Sequence, residues 1–258
     1  MFDNHKVVKL GKKEDTIACI GDAHDGHPNH RAETFNGTID EVIKNKYKVV
    51  LMGDMMECRE PSHPLYVPGS PTVGEQMNRY LDLIDRLNDN DALLGVICGN
   101  HEHKLIEKMS NNEIERWCNK IKVNYLDYSG VMDFEHKDHV YSVVFHHGFG
   151  GGATIGGAAN ALVRFTRYFQ NFDAVIMAHT HQLAALPPTI FLERDKESHK
   201  MIDRYCFPAF TGSFFLTYDE GKSGYGERKG YSPLPMGYNL LTFNDGLAQS
   251  RSVVKRVH

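Results

Sequence analysis

The 258-residue sequence has no excess of basic charge, no long apolar run and no paired-cysteine motif. Lysine and arginine number 29 against 33 aspartates and glutamates, for a formal net charge of −4. Nothing in that balance advertises a nucleic-acid or anionic-membrane partner. No stretch approaches the roughly 20 consecutive apolar residues of a membrane span. The segment Met1-Phe2-Asp3-Asn4-His5-Lys6 is charged and leads into no long apolar region, so no signal peptide is expected. The five cysteines are odd in number and scattered without a CxxC pair, and Cys19, Cys98 and Cys206 lie in or beside apolar runs. They read as small buried hydrophobes in a reducing, cytoplasmic setting. No internal repeat, low-complexity linker or composition break divides the chain. A single domain over 1–258 is expected, long enough for a full core.

Histidine is present in unusual number, at 15 residues, and its placement is informative. Five short apolar runs read as buried strands: Thr16–Ile20, Lys48–Met52, Leu93–Cys98, Val140–Phe145 and Asp173–Met177. Each ends in a polar cluster. These are Gly21-Asp22-Ala23-His24, Gly53-Asp54-Met55-Met56-Glu57, Gly99-Asn100-His101-Glu102-His103, His146-His147-Gly148 and Ala178-His179-Thr180-His181. Helical spacing covers about Arg31–Tyr47, Gly74–Leu87, Lys104–Lys120 and Ala158–Phe169. Pro61, Pro64, Pro68 and Pro71 make Glu60–Pro71 an ordered loop. The C-terminal part reads as β-rich, with apolar runs within Tyr205–Tyr218 and at Tyr238–Phe243 separated by a polar loop, Asp219–Gly237.

Ligands bind at strand ends in open α/β sheets. The groups pooled at these ends are Asp22, His24, Asp54, Asn100, His101, one or both of His146 and His147, His179 and His181. Two carboxylates, an amide oxygen and several imidazoles are too many ligands for one tetrahedral ion. They suit two octahedral or five-coordinate ions sharing a carboxylate. Such pairs sit roughly 3.5–4 Å apart and clamp the attacking and leaving oxygens of a phosphoryl displacement.

The series GDxH, GDxx(D/E), GNHE, an isolated HG and (G/A)HxH, in that order, resembles the calcineurin-like metallophosphoesterases. The resemblance covers about residues 16–181 and extends more weakly to Phe210-Thr211-Gly212-Ser213. It implies a four-layer α/β/β/α sandwich. It also implies that Asp22, His24 and His181 hold one divalent ion, that Asn100, His179 and His147 hold a second, and that Asp54 bridges the two. His147 is chosen over His146 because the family's histidine directly precedes the small residue; His146 then points to the other side of the strand. The implied ions are manganese first, with iron, zinc, nickel or cobalt as alternatives. The implied reaction is hydrolysis of a phosphate ester by a metal-bridging hydroxide. His101 is the implied general acid, and Glu57 is expected to fix its tautomer and raise its pKa.

One departure narrows the substrate. The phosphoprotein-phosphatase branch carries an arginine where Cys58 stands, and here Arg59 comes one position later. That points to a phosphodiester or small phosphorylated substrate. A DNA nuclease related to double-strand-break repair enzymes and a non-catalytic scaffold on the same fold are the other readings. The charge balance speaks against the first, and the presence of His101 with every ligand type against the second. Weaker features are expected to play lesser parts. His27 and His30 read as surface histidines, His103 as a residue lining or capping the site, and Glu102 as a support for the ligands. Arg164 and Arg167 read as solvated. The glycine-rich run Phe149–Gly157 reads as a mobile loop that lacks the features of a nucleotide P-loop. The loops Glu60–Pro71 and Asp219–Gly237, the latter with Lys222, Arg228 and Lys229, are where specificity is expected to sit.

Overall fold

Alternating side-chain direction sorts the fully buried strands between different cores. In β2 (Thr16–Ile20) and β3 (Lys48–Leu51), Ala18, Ile20, Val49 and Leu51 face one core, while Ile17, Cys19 and Val50 face another. Both faces are apolar, so these strands lie inside a layered structure with helices on one side and a second sheet on the other.

The structure is a computed structural model that describes residues 4–64, 66–150, 154–219, 227, 230 and 232–256. The first sheet runs, in spatial order, β13 (Leu247–Lys255), β12 (Met236–Asn244), β2, β3, β4 (Leu93–Val96), β5 (Asn124–Tyr125). β2 to β5 are parallel, and β12 is antiparallel to both β2 and β13. The second sheet runs β1 (His5–Lys9), β6 (Ser129–His136), β7 (His139–His146), β8 (Ala174–Met177), β11 (Met201–Thr211), β10 (Thr189–Arg194), with β9 (Leu183–Ala185) also paired to β11. Helices α1 (Ala32–Lys44), α2 (Val73–Asp89), α3 (Asn100–Met109) and α4 (Glu113–Ile121) pack on the outer face of the first sheet. Helix α5 (Ile155–Thr166) packs Ala158 and Leu162 on the outer face of the second. Between the sheets lie Val50 and Met52 of one and Val143, Phe145 and Ile176 of the other. The architecture is the expected α/β/β/α sandwich. Among the described residues no helix is long and apolar enough to cross a membrane.

Three differences from the sequence reading bear on the site. The helix expected over Lys104–Lys120 is two helices, because Ser110 takes a left-handed backbone (φ 50°) that ends α3. α3 also starts earlier, at Asn100. The Glu102 carboxylate accepts the Gly99 N–H at 3.0 Å and satisfies a donor that the helix start leaves open. The motif Gly99–His103 is therefore the first turn of a helix. Finally, β1, β5, β6, β9, β10 and β13 are strands beyond those expected.

Candidate metal centre

Register brings the polar clusters together. Ile20 pairs with Leu51 and Leu51 with Val96, so the carboxyl ends of β2, β3 and β4 are level. In the second sheet His146 pairs with Met177. Past those ends the loops are tied by backbone bonds: Asp22 N–H to Gly53 O and His24 N–H to Asp54 O, each 2.9 Å, and Ala178 N–H to His147 O, 2.8 Å. Asp22, His24, Asp54, His179 and His181 all have left-handed backbones, with φ of 51°, 52°, 50°, 67° and 57°. Asp and His tolerate this region better than most residues, but each still costs of order 1 kcal/mol, and such strain concentrates at functional sites. Two glycines allow the loops to touch. A Cβ on Gly53 would lie 2.4 Å from Gly99 N, and one on Gly99 would lie 2.1 Å from Asp54 Oδ1.

All seven expected ligands converge. Asp22 Oδ1 lies 3.7 Å from His181 Nε2 and 4.0 Å from His24 Nε2, and the two Nε2 atoms are 3.0 Å apart. Asn100 Oδ1 lies 2.7 Å from His179 Nδ1 and 3.1 Å from His147 Nε2. Asp54 Oδ2 stands between these groups, 3.4 Å from His147 Nε2 and 3.9 Å from His24 Nε2. His146 turns away to pack on Phe149 and Phe165, and burial pushes its pKa down to about 4.

The donor set fits divalent cations on several counts. His147 Nδ1–H donates to the Met52 carbonyl at 2.8 Å, across the two sheets, and His24 Nδ1–H donates to Glu57 Oε2 at 2.9 Å. Each bond fixes the tautomer that leaves Nε2 as a lone-pair donor aimed into the site, as metal-ligating imidazoles require. Asp22 Oδ1 is buried without a hydrogen-bond partner, an arrangement that calls for one. Burial pushes the Asp22 carboxyl up to about 7. Burial also works to raise Asp54, but His147, His101 and His24 outweigh it and hold that carboxylate well below its ordinary range. His24 and His147 are raised to about 9: burial opposes the charge, while Glu57 favours it on His24 and Asp54 on His147. Protons on imidazoles thus offset the buried carboxylates, and cations would supply the same charge while releasing those protons.

Glu57 lies beside His101, as expected, but its carboxylate is bonded to another histidine. Its carboxylate holds His24, with Oε2 3.9 Å from His101 Nδ1, and the atom that orients His101 is the Glu57 backbone carbonyl, at 2.6 Å. Burial pushes the His101 pKa down, against the pull of the Asp54 and Glu57 carboxylates and of that carbonyl bond. Glu102 supports the ligand loops as expected, accepting Asp54 N–H and Met56 N–H at 2.9 Å each. His27 and His30 are half-buried, not surface groups. Sequence reasoning missed Phe215, whose ring centroid lies 4.5 Å from His27, 5.5 Å from His181 and 5.9 Å from His24. It also missed Tyr128, 5.3 Å from the His147 ring, with its hydroxyl donating to Gly148 O at 2.9 Å. Neither has a local sequence signal. Arg164 and Arg167 are exposed, as expected. Residues 151–153 of the glycine-rich run, and Lys222, Arg228 and Lys229 with much of the Asp219–Gly237 loop, lie outside the described residues.

No curated protein matches the chain. Among solved structures it is similar to Yfce, a phosphoesterase from E. coli, at 13% identity and TM-score 0.40, covering 88% of this chain and 87% of that one. It is also similar to Vps29 complexed with zinc from Entamoeba histolytica, at 14% identity and TM-score 0.43, covering 93% and 98%. A third similarity is to GAP50, the anchor in the inner membrane complex of Plasmodium, at 12% identity and TM-score 0.42, covering 93% and 84%. The family model for calcineurin-like phosphoesterases matches residues 15–183, a span that holds all seven expected ligands. On that match, the chain belongs to the calcineurin-like phosphoesterase family.

Proposed function

We propose that this protein is a binuclear, divalent-metal-dependent hydrolase of phosphodiesters or small phosphorylated molecules. The observation that carries the reading is the position of Asp54 Oδ2 between two ligand groups, with His147 on one side and His24 on the other. Asp22, His24 and His181 would hold one ion, Asn100, His147 and His179 the second, and Asp54 both. Bound divalent cations supply positive charge against the phosphoryl oxygens and a nucleophilic water at neutral pH. His101 carries the other half of the chemistry. Its Nδ1–H is committed to the Glu57 carbonyl, so Nε2 is the atom that meets the leaving oxygen. A lowered pKa makes its protonated form a readier acid. The position after Glu57 is Cys58, and Arg59 Nε turns back to Glu57 Oε1 at 2.6 Å. That guanidinium is engaged beside the site, which supports a diester or small-molecule substrate over a phosphoprotein.

The test is a hydrolysis panel with Mn²⁺, then with iron, zinc, nickel and cobalt, on p-nitrophenyl phosphate, bis(p-nitrophenyl) phosphate, cyclic nucleotides and DNA. Metal-stimulated, chelator-sensitive turnover of the diester above the monoester is expected. His101→Ala should lower kcat by roughly 10²–10⁴-fold while bound metal is retained. No turnover with any metal would defeat the reading in favour of a scaffold, and degradation of DNA alone would make it a nuclease.

A further inference from the structure

Beside His101 the surface opens into a groove of about 560 Å³, within the usual size of a small-molecule site. One wall is a single face of α3: His101, Lys104, Leu105 and Lys108 follow at spacings of three, four and seven and all line it. The opposite wall is the segment from Glu57 to Pro64, including Arg59. The charges are unequal. Arg59 pairs with Glu57 and Lys108 with Glu60. Lys104 is exposed and makes no ion pair with a described residue. Three cations therefore face two carboxylates, and one of those carboxylates is also bonded to His24.

We propose that this groove receives the leaving group of the substrate, and that this leaving group carries a phosphate of its own, gripped by Lys104 with Lys108 beside it. The proposal rests on the phosphodiesterase reading above. In-line displacement places the nucleophile and the departing oxygen on opposite sides of phosphorus. The departing oxygen meets His101, so the rest of the leaving group lies on the His101 side, where the groove begins. The bond from phosphorus to the leaving oxygen breaks as a bond from phosphorus to the oxygen of water forms. The leaving oxygen takes a proton from His101 Nε2, and the proton lost by the water restores His101. The buried Leu105 gives the groove an apolar floor for the body of the leaving group.

The experiment compares the dinucleotide TpT with pTpT and TpTp, which differ from it only by a terminal phosphate. With Mn²⁺ supplied, kcat/KM for at least one phosphorylated dinucleotide should exceed that for TpT by tenfold or more, mainly through KM. Lys104→Glu should bring that ratio to near one. A ratio near one in the wild-type protein, or a ratio that Lys104→Glu leaves intact, overturns the proposal. If neither these dinucleotides nor bis(p-nitrophenyl) phosphate is turned over, the phosphodiesterase reading falls by itself. The groove is then judged by calorimetric binding of pTp against thymidine. Tighter binding of pTp, weakened tenfold by Lys104→Glu, supports the groove as a phosphate site, and equal binding of the two overturns it.

Discussion

Asp54 presents one carboxylate oxygen to the imidazoles of His147, His24 and His101, and its other oxygen accepts the His101 N–H at 2.9 Å. Replacing it with asparagine keeps the shape and removes the charge that lets one side chain serve two cations. Asp54→Asn should therefore lower the bound metal per chain from about two to one or fewer, measured by elemental analysis after gel filtration in Mn²⁺. An unchanged stoichiometry would contradict the bridging role. The cysteines make a second case. Cys19, Cys98, Cys118 and Cys206 are buried and Cys58 is half-buried. Burial pushes every one of these thiols up, Cys118 and Cys206 to about 12. In the native protein at pH 8 a thiol reagent should titrate well under one group within minutes, and all five after denaturation. The burial of Cys19, Cys98 and Cys206 was legible from their apolar surroundings. That the Glu57 carboxylate bonds His24 was not, because which of two neighbouring imidazoles a carboxylate reaches depends on where the fold sets both rings.

Elements show the same division. α2 begins at Thr72 with a reciprocal cap: the Thr72 hydroxyl accepts the Glu75 N–H and the Glu75 carboxylate accepts the Thr72 N–H. Thr72→Ala should cost about 1 kcal/mol and lower Tm by roughly 2–4 °C without changing metal content. Asp173, just before β8, accepts the Ser142 N–H of β7 at 2.7 Å. Burial raises its carboxyl above the ordinary 3.8. A folded-state pKa above the unfolded one contributes stability that is present below pH 3.8 and is lost as pH rises through the folded value. Asp173→Asn keeps an acceptor oxygen and cannot ionise. Its Tm should exceed that of the wild type at pH 7, with the advantage shrinking toward pH 4; the reverse trend would contradict the sign. β2, β3, β4, β7 and β8 were readable because burial on both faces leaves a near-continuous apolar run. β10 was not, since Ile190 and Leu192 are more than half exposed and Glu193 and Arg194 interrupt the run. The break between α3 and α4 was also hidden, because Ser110 carries no signal that it takes a left-handed backbone.

At the scale of the molecule, two sheets meet face to face and deliver three loops from one and two from the other to a single buried cluster of charge. His147 reaching the Met52 carbonyl ties the sheets at that point. Cations bound there would be held by both sheets and absent from the unfolded chain, so binding adds to folding stability. Mn²⁺ at 100-fold above its dissociation constant should add about 2.7 kcal/mol and raise Tm by roughly 5–10 °C, with reversal by chelator. A Tm indifferent to metal would argue that the site does not load.

By itself the sequence determined the kinds of donor atoms, the strand ends that carry them and their order along the chain. Those follow from local hydrophobic pattern and residue chemistry, and both are written one residue at a time. Tertiary structure alone decided which carboxylate partners which histidine, where Phe215 and Tyr128 pack, and that a basic groove opens beside His101. Those depend on the register between strands, the left-handed turns after them and the distance between the two sheets, and no short stretch of sequence encodes such relations.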